Sequence, residues 1–211
     1  GCPNESSPRL YRTAEQPPAG LVTDRPVSLL DAAGPPKVEI TREGIRALRH
    51  LGPSLMEDAE GGFRGVNFSV YSQRADKVQL LLFDDPESNR ATRQFDMVRV
   101  GDVWNLYVEG VGLGQHYGYI AWGPNWQFED KWYPGSIFGF VADVDAAGNR
   151  FNPNKLLFDP YCKAFHRKHD WSKGSVASGP KRTESTYAAS AKSVIVESEY
   201  AWSASEARWR Q

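Results

Sequence analysis

Several things are scarce in this 211-residue chain, and each scarcity closes a class of explanation. Only two cysteines are present, Cys2 and Cys162, too few for a small fold stapled by disulfides. No run approaches the roughly 18 apolar residues that would span a bilayer. Charge of one sign is not in excess: 25 Lys and Arg stand against 26 Asp and Glu, a net charge of -1. That balance gives no global electrostatic argument for nucleic acid or for an anionic membrane surface. Nucleophile motifs are missing too, with no Gly-x-Ser-x-Gly elbow. None of the 26 acids stands in a recognisable pair for glycoside hydrolysis. The chain by itself is therefore read as carrying no catalytic residue.

Aromatic residues are absent from one region and crowded into another. Residues 1–60 hold eight of the 14 prolines and a single aromatic, Tyr11. This stretch reads as a Pro/Gly-rich extension or tether, with a short helix expected over Glu43–Leu51 and ended by Gly52-Pro53. Past it come seven Trp, ten Phe and eight of the nine Tyr.

From Gly65 the hydrophobic period becomes two. Val66, Phe68 and Val70 alternate with Asn67, Ser69 and Tyr71. Val78, Leu80 and Leu82 form a second run, residues 91–100 a third, Val103–Glu109 a fourth, and Tyr117, Tyr119 and Ala121 a fifth. Turn-forming clusters such as Asp84-Asp-Pro-Glu-Ser-Asn89 divide them. The expected fold class is all-β: an immunoglobulin-like antiparallel β-sandwich over 61–125. The N-terminal extension precedes it, and a long irregular segment, 126–211, follows. A last strand at Ser193–Glu197 is expected to close the sheet from far downstream.

Four motifs invite chemistry. Asp143-Val-Asp-Ala-Ala-Gly148 resembles the start of a calcium loop but lacks ligands at its fifth and twelfth positions, so an Asx-turn is the expected structure. Cys162, His166, His169 and Asp170 have a zinc-like spacing, but six Lys and Arg among residues 163–182 favour a solvated basic loop. Trp122, Asn125, Trp126 and Trp132 combine indole faces for sugar C–H groups with an amide for hydroxyls; the same rings could instead fill a core or a domain seam. Cys2, followed by a polar stretch, fits the lipidated first residue of a bacterial lipoprotein as well as it fits a chance thiol.

Two strings carry a wider resemblance. Tyr117-Gly-Tyr-Ile-Ala-Trp-Gly-Pro-Asn-Trp126 and Gly139-Phe-Val-Ala-Asp-Val-Asp-Ala-Ala-Gly-Asn-Arg-Phe-Asn-Pro-Asn-Lys-Leu-Leu-Phe-Asp-Pro-Tyr161 closely resemble the N-terminal region of bacterial isoamylases, glycogen debranching enzymes of the α-amylase superfamily. Gly65–Ser72 and Ala191–Val196 fall where that family places its first sandwich strand and the approach to its barrel. The resemblance covers roughly residues 60–200 and implies a family-48 carbohydrate-binding-module sandwich. It would be followed by a segment packing on a catalytic (β/α)8 domain that hydrolyses α-1,6 branch linkages of glycogen or amylopectin. It implies that this chain ends about where the first barrel strand begins, and that 126–211 holds the barrel-packing segment, the closing strand and a linker. Trp122, Asn125, Trp126 and Trp132 become glucan-binding or domain-interface residues. Calcium is implied for the parent enzyme, with Asp170 the nearest acid to the family's ligand position and no cofactor in this chain alone. The expected partners are α-glucan and the catalytic domain, and the expected location is extracytoplasmic, secreted or anchored at Cys2. A free-standing glucan-binding surface lipoprotein is the alternative, and a structural sandwich without sugar contact the third reading.

Overall fold

The computed structural model describes residues 50–57, 62–170 and 177–197, all within the compact unit Val38–Gln211. Cys2 and nearly all of the expected 43–51 helix lie outside the described residues.

Among the described residues, nine strands form two antiparallel sheets. They are β1 Gly52–Glu57, β2 Phe63–Tyr71, β3 Lys77–Phe83, β4 Arg93–Asp96, β5 Val98–Val100, β6 Val103–Glu109, β7 His116–Trp122, β8 Ala164–Phe165 and β9 Ser193–Val194. The first sheet runs β1-β2-β6-β5 and the second β4-β3-β7-β9-β8. The β-sandwich expected from the alternation is thus present. Val66, Phe68 and Val70, with Trp104, Leu106 and Val108 beside them in the same sheet, face Val78, Leu80, Leu82, Tyr117, Tyr119 and Ala121 of the other across the buried interior. Burial at roughly 1.5–3 kcal/mol per large apolar side chain makes this interior the main driving force of the fold.

Two features differ from the alternation pattern. The run over 91–100 is not one strand. Its backbone changes sheets at Met97, whose N–H bonds to the Val78 carbonyl at 3.0 Å while its side chain is buried in the core. The sandwich also begins before residue 61. Gly52–Glu57, read as the end of the extension, pairs with β2 in the register Pro53↔Phe68 and Leu55↔Val66. A proline is tolerated there because β1 is an edge strand. Gly52 has φ +95°, and a Cβ on it would press on Tyr161 at 3.1 Å.

The second sheet is buried on both faces. Leu81, Phe83, Ile120 and Trp122 point away from the sandwich interior and pack against Trp126, Leu156 and Tyr187, with Phe128, Trp132, Phe140 and Phe151 at the margin. The aromatic segment after β7 is therefore a third layer laid on the β3-β7 face. The distant closing strand is also real. Val194 and Ser193 pair with His116 and Tyr117, and Tyr119 pairs with Leu157 along the same edge.

Candidate interaction surface

The third layer starts from a tight turn. Gly123 and Trp126 exchange both backbone hydrogen bonds, at 3.0 and 2.9 Å, which swings Asn125 inward. The Asn125 amide donates to the carbonyls of Ala142 (3.0 Å) and Phe151 (2.9 Å), and its oxygen accepts from Phe151 N–H (2.8 Å). The side chain is wholly buried and spent on the backbone of its own chain. Trp126, 1% exposed, donates its indole N–H to Phe138 O at 2.8 Å and lies 5.0 Å from the Phe140 ring. Trp122 is 0% exposed, held edge-to-face between Phe128 and Trp132 at 5.2 and 5.0 Å. Trp132 is half-buried in the same stack. Neither Trp122 nor Trp126 has a free face for a sugar ring or for another domain. The structure places them, with Asn125, in the scaffold beneath the surface.

The long string 150–161 behaves the same way at its polar positions. Asn152 donates to Ala177 O (2.7 Å) and Arg182 O (3.0 Å), and Lys155 Nζ to Lys181 O (2.9 Å) and Glu184 O (2.7 Å). Asn154 accepts from Gly135 N–H (2.7 Å) and donates to Ser136 O (3.1 Å). Asp159, fully buried, accepts from the Tyr117 and Tyr119 hydroxyls (2.9 and 3.3 Å) and from Tyr161 N–H (2.8 Å). Burial pushes the Asp159 carboxyl above the usual carboxylate range, against those hydrogen bonds, and burial pulls the Lys155 ammonium down. Lys192 is enclosed beside the Phe83 ring, donating to Tyr187 O at 2.6 Å; burial, with Arg167 nearby, lowers it to about 8. These polar residues tie the third layer down.

The Asp143–Gly148 loop is an Asx-turn. Asp145 accepts from Ala147 N–H and Asn149 N–H at 2.9 and 2.8 Å and from the Asn149 amide at 2.7 Å. Asp143 forms a bidentate pair with Arg182, both bonds 2.8 Å, and accepts from Gly179 N–H. Arg182 holds the Asp143 carboxyl down to about 2. Guanidinium groups supply the positive charge here, with Arg74 on Ala147 O as well.

In the basic loop, His166 joins Lys192 and Glu87: its Nδ1 accepts from Lys192 N–H at 2.9 Å, and its Nε2 lies 3.2 Å from Glu87 Oε1. Asp170 is half-buried, its backbone N–H bonded to Ala189 O at 3.0 Å. Among the described residues no three His, Cys, Asp or Glu side chains gather as a metal site, so Asp170 does not make a hard-cation site from these residues alone.

Among the described residues, exposed apolar side chains gather on the outer side of the layer. Leu157, Phe158, Tyr161 and Phe165 are 43–53% exposed, with Phe158 and Phe165 edge-to-face at 5.4 Å. A second ring pair, Tyr133 and Phe138, lies 6.1 Å apart with Ile137 exposed between them along the chain. Sequence reasoning named the tryptophans and missed these rings. Their only signal was position: Leu157, Phe158 and Tyr161 alternate with the anchoring residues Leu156 and Asp159 in a segment with no regular period.

A family model described as carbohydrate-binding module 48 (isoamylase N-terminal domain) matches residues 50–162. An isoamylase of Flavobacterium sp. is 42% identical over 106 residues, covering 46% of this chain and 14% of that protein. A glycogen debranching enzyme of Yersinia enterocolitica is 37% identical over 140 residues, 65% of this chain and 18% of that protein. The chain thus spans under a fifth of the length of these relatives. Among solved structures, the pullulanase from Bacillus acidopullulyticus aligns with 70% of this chain and 12% of its own at 19% identity. Its TM-score is 0.38, a likeness too slight to build on.

Proposed function

This chain belongs to the carbohydrate-binding module 48 (isoamylase N-terminal domain) family, and from that membership we propose that it is the non-catalytic N-terminal module of a debranching glycoside hydrolase acting on α-1,6 branch linkages of glycogen or amylopectin. One observation carries the reading. In the string 150–161, every buried polar side chain bonds inside the chain, while Leu157, Phe158 and Tyr161 face outward and join Phe165. A monomer gains nothing by exposing such a set, and interfaces with a second domain are built from it. We place the catalytic (β/α)8 domain on that face.

The test uses the pure chain and a catalytic domain expressed separately without its own N-terminal module. The chain alone releases no reducing ends from glycogen. It co-purifies with the catalytic domain, and Phe158→Ser and Phe165→Ser abolish the association while circular dichroism stays unchanged. Debranching by the chain alone, or association indifferent to both substitutions, overturns the reading. An extracytoplasmic location and acylation at Cys2 belong to the same proposal, supported by the polar stretch after Cys2, and mass spectrometry of the N-terminal peptide from a native source checks both. Calcium is proposed for the parent enzyme only, with Asp170 one ligand and the others outside this chain, so equilibrium dialysis of this chain alone detects no bound calcium.

A further inference from the structure

We infer that the Tyr133–Phe138 turn is a glucan contact: two aromatic rings inclined at 65° to one another on a preorganised loop, against which the apolar C–H side of an α-linked glucose chain packs. The inference rests on the module reading above but concerns a different part of the surface. Both rings are exposed, Tyr133 by 46% and Phe138 by 40%. An exposed turn bearing two aromatics would ordinarily be loose, and this one is pinned from below. Tyr133 and Ser136 exchange hydrogen bonds, Ser136 N–H to Tyr133 O at 2.9 Å and Tyr133 N–H to Ser136 Oγ at 3.2 Å. Asn154, fully buried, takes Gly135 N–H and gives to Ser136 O. Trp126 holds Phe138 O. Trp126, one of the residues that the sequence pointed to for sugar, therefore helps hold the loop in place without touching the ligand itself. Locking the backbone beforehand removes the ordering cost from binding.

The flanks separate this turn from the Phe158 face. Glu129, Asp130 and Lys131, all exposed, form the turn that leads directly into Trp132 and Tyr133. Rings preceded in the chain by two carboxylates and an ammonium suit a ligand that has an apolar face and a rim of hydroxyls. Ile137, 54% exposed, adds to the apolar face of this turn, and the Phe158–Phe165 pair continues into Leu157 and Tyr161, the surface assigned above to the second domain.

The experiment is native electrophoresis of the full chain through gels containing glycogen, with maltoheptaose titration followed by NMR. The wild-type chain is retarded. Tyr133→Leu and Phe138→Leu, which keep apolar volume without an aromatic face, each weaken binding by roughly tenfold, and Tyr133→Phe and Phe158→Ser leave it unchanged. Undiminished retardation of the Tyr133→Leu/Phe138→Leu double variant overturns this assignment and leaves the module reading standing. A wild-type chain that ignores glycogen also overturns it, while co-purification with the catalytic domain reports separately on the module.

Discussion

The indole N–H of Trp126 donates to the carbonyl oxygen of Phe138 across 2.8 Å, joining the turn that ends β7 to the loop that displays the Tyr133–Phe138 rings. Trp126→Phe keeps most of the buried apolar volume but removes the donor. Losing that bond and leaving the carbonyl unpaired costs about 1–3 kcal/mol. Trp126→Ala adds a cavity and costs about 3–5 kcal/mol. Urea titrations of the two variants separate hydrogen bond from packing, and Trp126→Phe also weakens glycogen retardation.

Asn125 is the hub of the same layer, with three hydrogen bonds to backbone groups at Ala142 and Phe151. Asn125→Ala strands three partners on the half-buried backbone of Ala142 and Phe151, so a loss of about 3 kcal/mol is expected. A lowered urea midpoint, together with faster amide exchange at Phe151, checks it.

Gly139 stands at φ +77°, and a Cβ there would overlap the Gln127 carbonyl, whose residue donates its own N–H to Gly139 O at 2.7 Å. Gly139→Ala must break that contact or rotate out of the left-handed region. The expected outcome is a reduced melting temperature, with the loop amides of residues 127 and 139 shifted in NMR spectra.

Lys192 gives a pH dependence with a definite sign. Its folded value lies at about 8, below the roughly 10.4 of an unfolded lysine. Between those values the unfolded chain binds more protons, so stability rises as pH increases from about 8 to about 10.4. Lys192→Met removes the rise. Melting curves of both proteins from pH 7 to 10.5 check it, and parallel curves would exclude the enclosed ammonium as the cause.

Asp159 has the opposite sign from a salt-bridged acid. Burial raises its folded value, so its contribution is full below the unfolded value and is lost as pH rises through the folded one. Asp159→Asn flattens that decline. The comparison is a pair of urea midpoints measured through the acidic range.

Much of the sandwich was legible in the sequence because period-two alternation reports the interior-facing side chains of β2 and β3. Val66, Phe68, Val70, Val78, Leu80 and Leu82 all occupy the interior that their spacing implied. The sheet change at Met97 was not legible, since one residue in an unbroken polar-apolar run carries no mark of which sheet its neighbours join. Nor was β1, because Gly52-Pro53 reads locally as a stop signal, and only pairing with β2 makes an edge strand of it.

The sequence alone determined the all-β class, the distant closing strand at Ser193 and, through the 139–161 string, the family. Tertiary structure decided which aromatics are available to anything else. Tryptophan has the same chemistry inside and outside, and exposure depends on what packs over it. The third layer covers Trp122 and Trp126 and leaves Tyr133, Phe138, Phe158 and Phe165 uncovered. That division follows from where Asn125, Asn154 and Asp159 hold the loops down, through hydrogen bonds that join residues as far apart as 42 positions along the chain.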